Sequence, residues 1–407
     1  MPDLILPRGP KMKRNWFIIT STLLILLFIA GCDNYTDQPP APTSIPLSNP
    51  QDGRPGSSSD LIPPDNAIYL PEGFTISVFA DGLTGPTKLA LGPEGMIYVV
   101  EPKNGRILRL PDRNNDGIAD GLEIAADDFI DPSSLAFYKD DSMYVAETTR
   151  VIRLEDPDGD GSYQDREIQV AGIAAGGNTE RTLIFSPDWE LFYLSIGSSC
   201  NVCREQDPRR ATVMRFKSDG SNGKIITKGL RHVVGLAFTP NNDILWVTNI
   251  ERDGLGDTLP PETLYAIFID ADAGWPYCHA GRIIDPDLGG RSSCDESLLT
   301  PAFELEAHSV PTSLLFYSGN QFPDNYLQDL FVVLHGSGEG ESSAGYKIIR
   351  IPLGPGDDRT VQDFAVGWLL EDGTHWGTPA DVIVGADGSL YVSDDMGGII
   401  YRISYNN

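Results

Sequence analysis

Two twelve-residue stretches carry the most explicit chemistry in this sequence. In the first, Asp112, Asn114, Asp116, Ile118, Asp120 and Glu123 occupy positions one, three, five, seven, nine and twelve, with Gly117 at the sixth. In the second, Asp156, Asp158, Asp160, Ser162, Gln164 and Glu167 do the same, with Gly161 sixth. A hard cation such as calcium needs oxygen ligands on alternating residues, a sharp turn at the sixth and a bidentate carboxylate to complete the shell. Both stretches meet that pattern at every position, so each is expected to bind calcium. Their flanks, RILRL and VIRLE before and LEIAA and REIQV after, read as strands. The loops therefore sit in β-hairpins and brace the fold, because a calcium sensor needs a movable helix pair.

Cys200, Cys203, Cys278 and Cys294 form a second set. An even number outside the cytoplasm reads as disulfides Cys200–Cys203 and Cys278–Cys294. A zinc site built from the four, with His279, is the alternative, although only one pair has the close CxxC spacing that structural zinc sites usually show twice.

The elements that position these groups are repeated. From Gly229, GLRHVVGLAFTPNNDILWVTN followed by TLYAI gives three β-branched and aromatic runs separated by turn residues. Related copies begin at Pro86, Pro132, Arg181, Pro311 and Pro379. Six copies, none with enough apolar surface to fold alone, predict an all-β fold: a six-bladed β-propeller of four-stranded antiparallel blades. The last copy supplies three strands, and GFTISVFADGL from Gly73 precedes the first as an unpaired strand. Pairing them closes the ring and removes an exposed edge.

Lys11, Lys13 and Arg14 precede an apolar run, Trp16 to Ala30, that ends in Ile-Ala-Gly-Cys at Cys32. A basic start, a short apolar core and small residues at the cut describe a secretory signal over residues 1–31. The Cys after the small pair resembles a bacterial lipobox, which makes Cys32 a lipidation site. Residues 32–67 are rich in Pro, Ser, Asp and Gly and read as a disordered tether, leaving 68–407 for the propeller. The expected location is the bacterial cell envelope, with the protein attached to membrane through its N-terminal lipid. Thirty Lys and Arg stand against 58 Asp and Glu, a net charge of −28. Such a surface repels polyanions, so no nucleic acid partner is expected.

With Gly229-Leu-Arg231, GLAF, WVTN, RDGLGDTLPPE, GWPYC, GSSCNVC, HSVP and LYVSDDMGG in view, residues 70–405 resemble the glucose/sorbosone dehydrogenase family. That resemblance implies a six-bladed propeller that oxidises a sugar with pyrroloquinoline quinone and calcium. It places Arg231 against the cofactor, Asp253 in the loop holding a catalytic calcium, and Arg181, His232 and His335 in the cofactor site. It also implies departures. Asn178 stands where the family's His base is found, and an amide cannot take a proton from a hydroxyl. The segment His335 to Gly340 and Thr378 each lack an Arg expected to face the quinone carboxylates. His232 and His308 are then candidate substitute bases. A non-catalytic propeller that binds carbohydrate or a protein partner is the alternative, and a metal-dependent propeller hydrolase or lactonase follows only from fold analogy. The sugar and the electron acceptor stay open.

Overall fold

The computed structural model describes residues 67–240, 244–337, 344–354 and 356–406. The expected signal segment, Cys32, the expected tether up to residue 66, the turn residues Asn241, Asn242 and Asp243, and Gly338, Glu339 and Gly340 lie outside the described residues.

Six antiparallel blades follow one another along the chain. The first joins Leu89–Leu91, Ile97–Glu101, Arg106–Leu110 and Glu123–Ala126, and the second joins Pro132–Phe137, Met143–Glu147, Arg150–Glu155 and Asp165–Val170. The sixth consists of Pro379–Val384, Leu390–Asp394 and Ile399–Tyr405, completed by Phe74–Ala80 from the start of the domain. Phe74 pairs with Tyr405 and Val78 with Tyr401, so the expected ring closure is present. The departure is in the third blade. Its outer edge gains Ala271–Asp272 in parallel, donated by a long excursion after the fourth blade's third strand, Glu262–Ile267. That excursion carries a two-stranded hairpin, Cys278–His279 with Ile283–Ile284, before the blade's last strand, Phe303–Leu305.

Strand composition follows position in the blade. The second strands, such as Ile97–Glu101, Leu330–Leu334 and Leu390–Asp394, are buried at every residue because both faces pack against neighbouring blades. The outermost strand of the second blade, Asp165–Val170, is mostly exposed and correspondingly polar. Between blades the core is aromatic. Phe331 is fully buried, with Phe364 edge-on at 4.8 Å.

Three inner strands begin at a proline followed by a bulge. The extra residues are Ser133, Thr312 and Ala380, each skipped in the pairing with the second strand. A bulge re-aims a side chain at the end of a strand, and all three of these residues line the central cavity. They also tie the blades together. Ser133 Oγ donates to Arg181 O (2.9 Å) and Thr312 Oγ1 donates to Ala380 O (2.7 Å).

Candidate active site

At one end of the propeller axis, loops that lead into the inner strands and out of the second strands converge on a cavity of about 1000 Å³. Most side chains expected near the axis are drawn to this end by that topology. Asn178, Arg231, His232, Asp253, His308 and His335 all line the cavity. Thr378 stands one contact behind, its hydroxyl hydrogen-bonded to the lining residue Asp395. Arg181 is a correction: its side chain is wholly buried behind the wall. It donates to Asn178 O (2.7 Å), Glu180 O (2.8 Å) and Ala174 O (3.2 Å), so it braces the loop and does not reach a cofactor. Burial and the nearby Arg210 charge lower its pKa to about 10.

Arg231 is buried and held by backbone. Its Nη1 donates to Glu251 O (2.8 Å), its Nε to Asn201 O (3.2 Å) and its Nη2 to Asn201 Oδ1 (3.1 Å), with Asp253 at 3.6 Å. Burial lowers its pKa, partly offset by the Asp253 charge. Asn201 is the hub that sequence reasoning passed over. It sits inside the four-residue ring closed by the Cys200–Cys203 disulfide, accepts from Asp253 N (2.9 Å) and donates to Asp253 O (2.9 Å). One side chain therefore fixes both Arg231 and the Asp253 loop. The GSSCNVC stretch could have signalled this, since a short disulfide ring leaves its central residue little freedom.

His335 has acceptors on both sides: Gly336 O is 2.8 Å from Nδ1, and the Asp395 carboxylate lies 3.2 and 3.3 Å from Nε2. Both ring nitrogens must donate, so the imidazole is a cation. Burial works against that charge, and the Asp395 carboxylate outweighs it, raising the pKa. His308 rests with Nε2 2.9 Å from Gly256 O and Nδ1 3.7 Å from Asp253. Lys88, also missed, reaches the cavity from the first blade, where its ammonium donates to Thr312 O (2.6 Å) and Asp381 (3.2 Å). Glu180, a third omission, puts a half-exposed carboxylate on the wall 3.0 Å from His232 Nε2.

Behind the Asp253 loop lies a buried charged network. His279 sits with Nδ1 2.9 Å from Glu251 and Nε2 3.0 Å from Asp285, and Arg252 also pairs with Asp285. Glu262 accepts from Glu251 N (2.7 Å), and burial pushes its pKa up to about 8. His279 thus has a structural role. The zinc alternative gives way to two disulfides, Cys200–Cys203 and Cys278–Cys294.

The two acidic loops lie in the first and second blades, between strands. In the second, carboxylate oxygens of Asp156, Asp158 and Asp160 lie within 4.8 Å of one another. Ser162 and Gln164 bond each other (3.0 Å) and Glu167 bonds Gln169 (3.0 Å), away from that group. In the first, Asp112 accepts from Asp116 N (3.1 Å) and Gly117 N (2.9 Å), while Asn114 Nδ2 donates to Asp116 (3.0 Å). Asp116 accepts from Ile118 N and Asp120 from Arg113 N. Glu123 pairs with Arg109 (2.7 Å) and Arg113 (2.6 Å).

A family model described as "Domain of unknown function (DUF7133)" matches residues 65–334, more than half of the chain. The chain belongs to the DUF7133 family. A second model, "TrAA12-like", matches residues 289–406 of this DUF7133 protein. An uncharacterized protein of Borreliella burgdorferi is 24% identical over 356 residues, covering 84% of this chain and 91% of that one. The pyrroloquinoline quinone-dependent pyranose dehydrogenase of Coprinopsis cinerea is 23% identical over 413 residues, covering 84% of this chain. This chain spans only 55% of that enzyme's length. Among solved structures, the holo form of the quinone domain of the Coprinopsis pyranose dehydrogenase superimposes with a TM-score of 0.70 at 21% identity, covering 86% of this chain and 99% of that one. The calcium structure of the Trichoderma reesei carbohydrate-active enzyme of family AA12 gives 0.71 at 19%, covering 86% and 100%. At these identities the likeness establishes the propeller.

Proposed function

We propose that this is a lipid-anchored, sugar dehydrogenase-like propeller that holds pyrroloquinoline quinone and calcium in its central cavity and oxidises an aldose or related sugar there. One observation carries the reading: three cationic groups, Lys88, Arg231 and His335, reach a single cavity from three sides. A planar anion with three carboxylates finds in them the opposing charge it needs. The donor set therefore fits the quinone, although the Args expected at residues 340 and 378 are absent. The likeness to the Coprinopsis quinone-dependent pyranose dehydrogenase and the Trichoderma carbohydrate-active enzyme supports the same reading.

The bound quinone would supply a two-electron carbonyl acceptor. Lys88, Arg231 and His335 would hold its carboxylates. Asp253 and Asp257, on one loop of the wall, offer hard oxygens for calcium. The Asn178 amide, which donates to Ser198 Oγ (2.9 Å), can orient a sugar hydroxyl but cannot deprotonate it. Five carboxylates line the cavity: Asp131, Glu180, Asp253, Asp257 and Asp395. They outnumber the cations, so the anion is held only when a divalent cation offsets them. The acidic loops of the first and second blades would take calcium as structural braces.

Asn178 favours a second reading, a propeller that binds carbohydrate without turning it over. Incubating the ectodomain with the quinone and calcium, then following dye reduction over a panel of aldoses, separates the two. Turnover supports the dehydrogenase, and sugar binding without turnover supports the binding protein. Envelope anchoring rests on the sequence at Cys32; Cys32→Ser is expected to move the protein out of the membrane fraction, and unchanged sedimentation would refute it.

A further inference from the structure

Asn178 leaves the proposed sugar oxidation without a proton acceptor at the expected position, and the cavity wall supplies one two residues on. Glu180 and His232 come from different blades. Glu180 lies in the loop that enters the third blade's inner strand, Leu183–Phe185, and His232 in the loop that enters the fourth blade's, Leu236–Phe238. Gly197 makes room for His232 beside Asn178: a Cβ there would stand 2.7 Å from Asn178 Cβ and 3.0 Å from His232 Cδ2. Both distances are too short for a side chain, so glycine allows Asn178 and His232 to share one corner.

Within that corner the two members are exposed differently. The Glu180 side chain is 54% exposed and faces the cavity, while the His232 side chain is 9% exposed and sits behind it. Their atoms Oε2 and Nε2 are 3.0 Å apart, and Nε2 is a buried polar atom with no aligned hydrogen-bond partner. A carboxylate oxygen and an imidazole lone pair repel at that separation, so the contact is favoured when Nε2 carries a proton.

We infer that Glu180 and His232 act as one unit, with Glu180 taking the proton of the sugar hydroxyl and the His232 Nε2–H supporting its carboxylate from behind. This rests on the sugar-oxidising reading above. The O–H bond would break with its proton going to the Glu180 carboxylate, and the quinone named there would supply the two-electron acceptor for the carbon's hydride, so the sugar would give up two electrons and two hydrogens. Glu180 is the catalytic residue because it reaches the substrate space, and His232 positions it. The charges of Lys88 and His335 also face Glu180 across the cavity. Burial opposes the Glu180 charge, and the His232 contact, with Lys88 and His335 behind it, outweighs burial and lowers the pKa.

The test is Glu180→Gln, which keeps the shape and the hydrogen-bonding capacity but cannot accept a proton. In the ligand-free protein, imidazole nitrogen NMR is expected to show a proton on His232 Nε2 in wild type and a mixture of tautomers in Glu180→Gln. In the reconstituted protein, kcat is expected to fall by roughly 10²- to 10⁴-fold with KM little changed, the usual contribution of a positioned general base. Adding Asn178→His to Glu180→Gln is expected to restore part of kcat, because an imidazole then faces the same space. Wild-type turnover with an undiminished kcat in Glu180→Gln, or a His232 tautomer indifferent to Glu180, overturns the pair alone. A wild type that shows no turnover overturns the sugar-oxidising reading, and the pair with it.

Discussion

Asn201 is the residue whose removal tests most sharply how the cavity is held. Its side chain makes three hydrogen bonds: from Arg231 Nη2 (3.1 Å), from Asp253 N (2.9 Å) and to Asp253 O (2.9 Å). Asn201→Ala deletes all three and leaves Arg231 on the carbonyls of Glu251 and Asn201 itself. Each such bond contributes about 0.5–1.5 kcal/mol net, and the exposed position of Asn201 puts these at the low end. About 1.5–2 kcal/mol of loop preorganisation is then lost, which corresponds to roughly 10- to 30-fold weaker binding of any ligand that uses Arg231 and the Asp253 loop. The melting temperature should fall by only a few degrees (~2 °C per kcal/mol in a domain of this size), because no core contact is touched. Calorimetric titration of the variant with pyrroloquinoline quinone in excess calcium, beside a thermal scan, measures both. Unchanged affinity would refute the hub role, and a large fall in melting temperature would show that Asn201 supports the fold and not the site.

Three further outcomes are expected. Glu262 binds its proton more tightly folded than unfolded, its folded pKa being about 8, so the stability it contributes falls as pH rises from the ordinary carboxylate range through about 8. Glu262→Gln should flatten that decline in thermal unfolding between pH 6 and 9 (about three units, chosen to span the folded pKa), and an unchanged slope contradicts it. Calcium titration should release heat in wild type and less in Asp116→Ala or Asp160→Ala; a wild type without heat ends the loop proposal. Phe331→Ala removes a fully buried ring packed on Phe364 and should cost about 3–5 kcal/mol in denaturant unfolding, with a loss under 1 kcal/mol showing that the inter-blade core relaxes to fill the space.

The propeller was legible because its signal is local and repeated. Each copy announces a strand, a Pro/Gly/Asp turn and a second strand buried on both faces, and Gly73 to Leu83 could be matched to the missing edge by counting. The fifth strand of the third blade was not legible: Ala271–Asp272 is too short to carry a periodic pattern and is placed by its parallel pairing to Thr227 and Lys228. At the site, residues carried over from motifs did gather at the axis, except Arg181, whose guanidinium turned inward to backbone carbonyls. Lys88, Glu180 and Asn201 escaped notice because their roles depend on which loops from different blades meet, and no single stretch of sequence records that.

The most direct measurement is an equilibrium titration of the protein with pyrroloquinoline quinone, in calcium and in a chelator. Saturable one-to-one binding that requires calcium and weakens in Arg231→Gln is expected from a wall where carboxylates outnumber cations. No saturable binding in calcium, or equal binding in the chelator, would contradict the cofactor site proposed for this cavity.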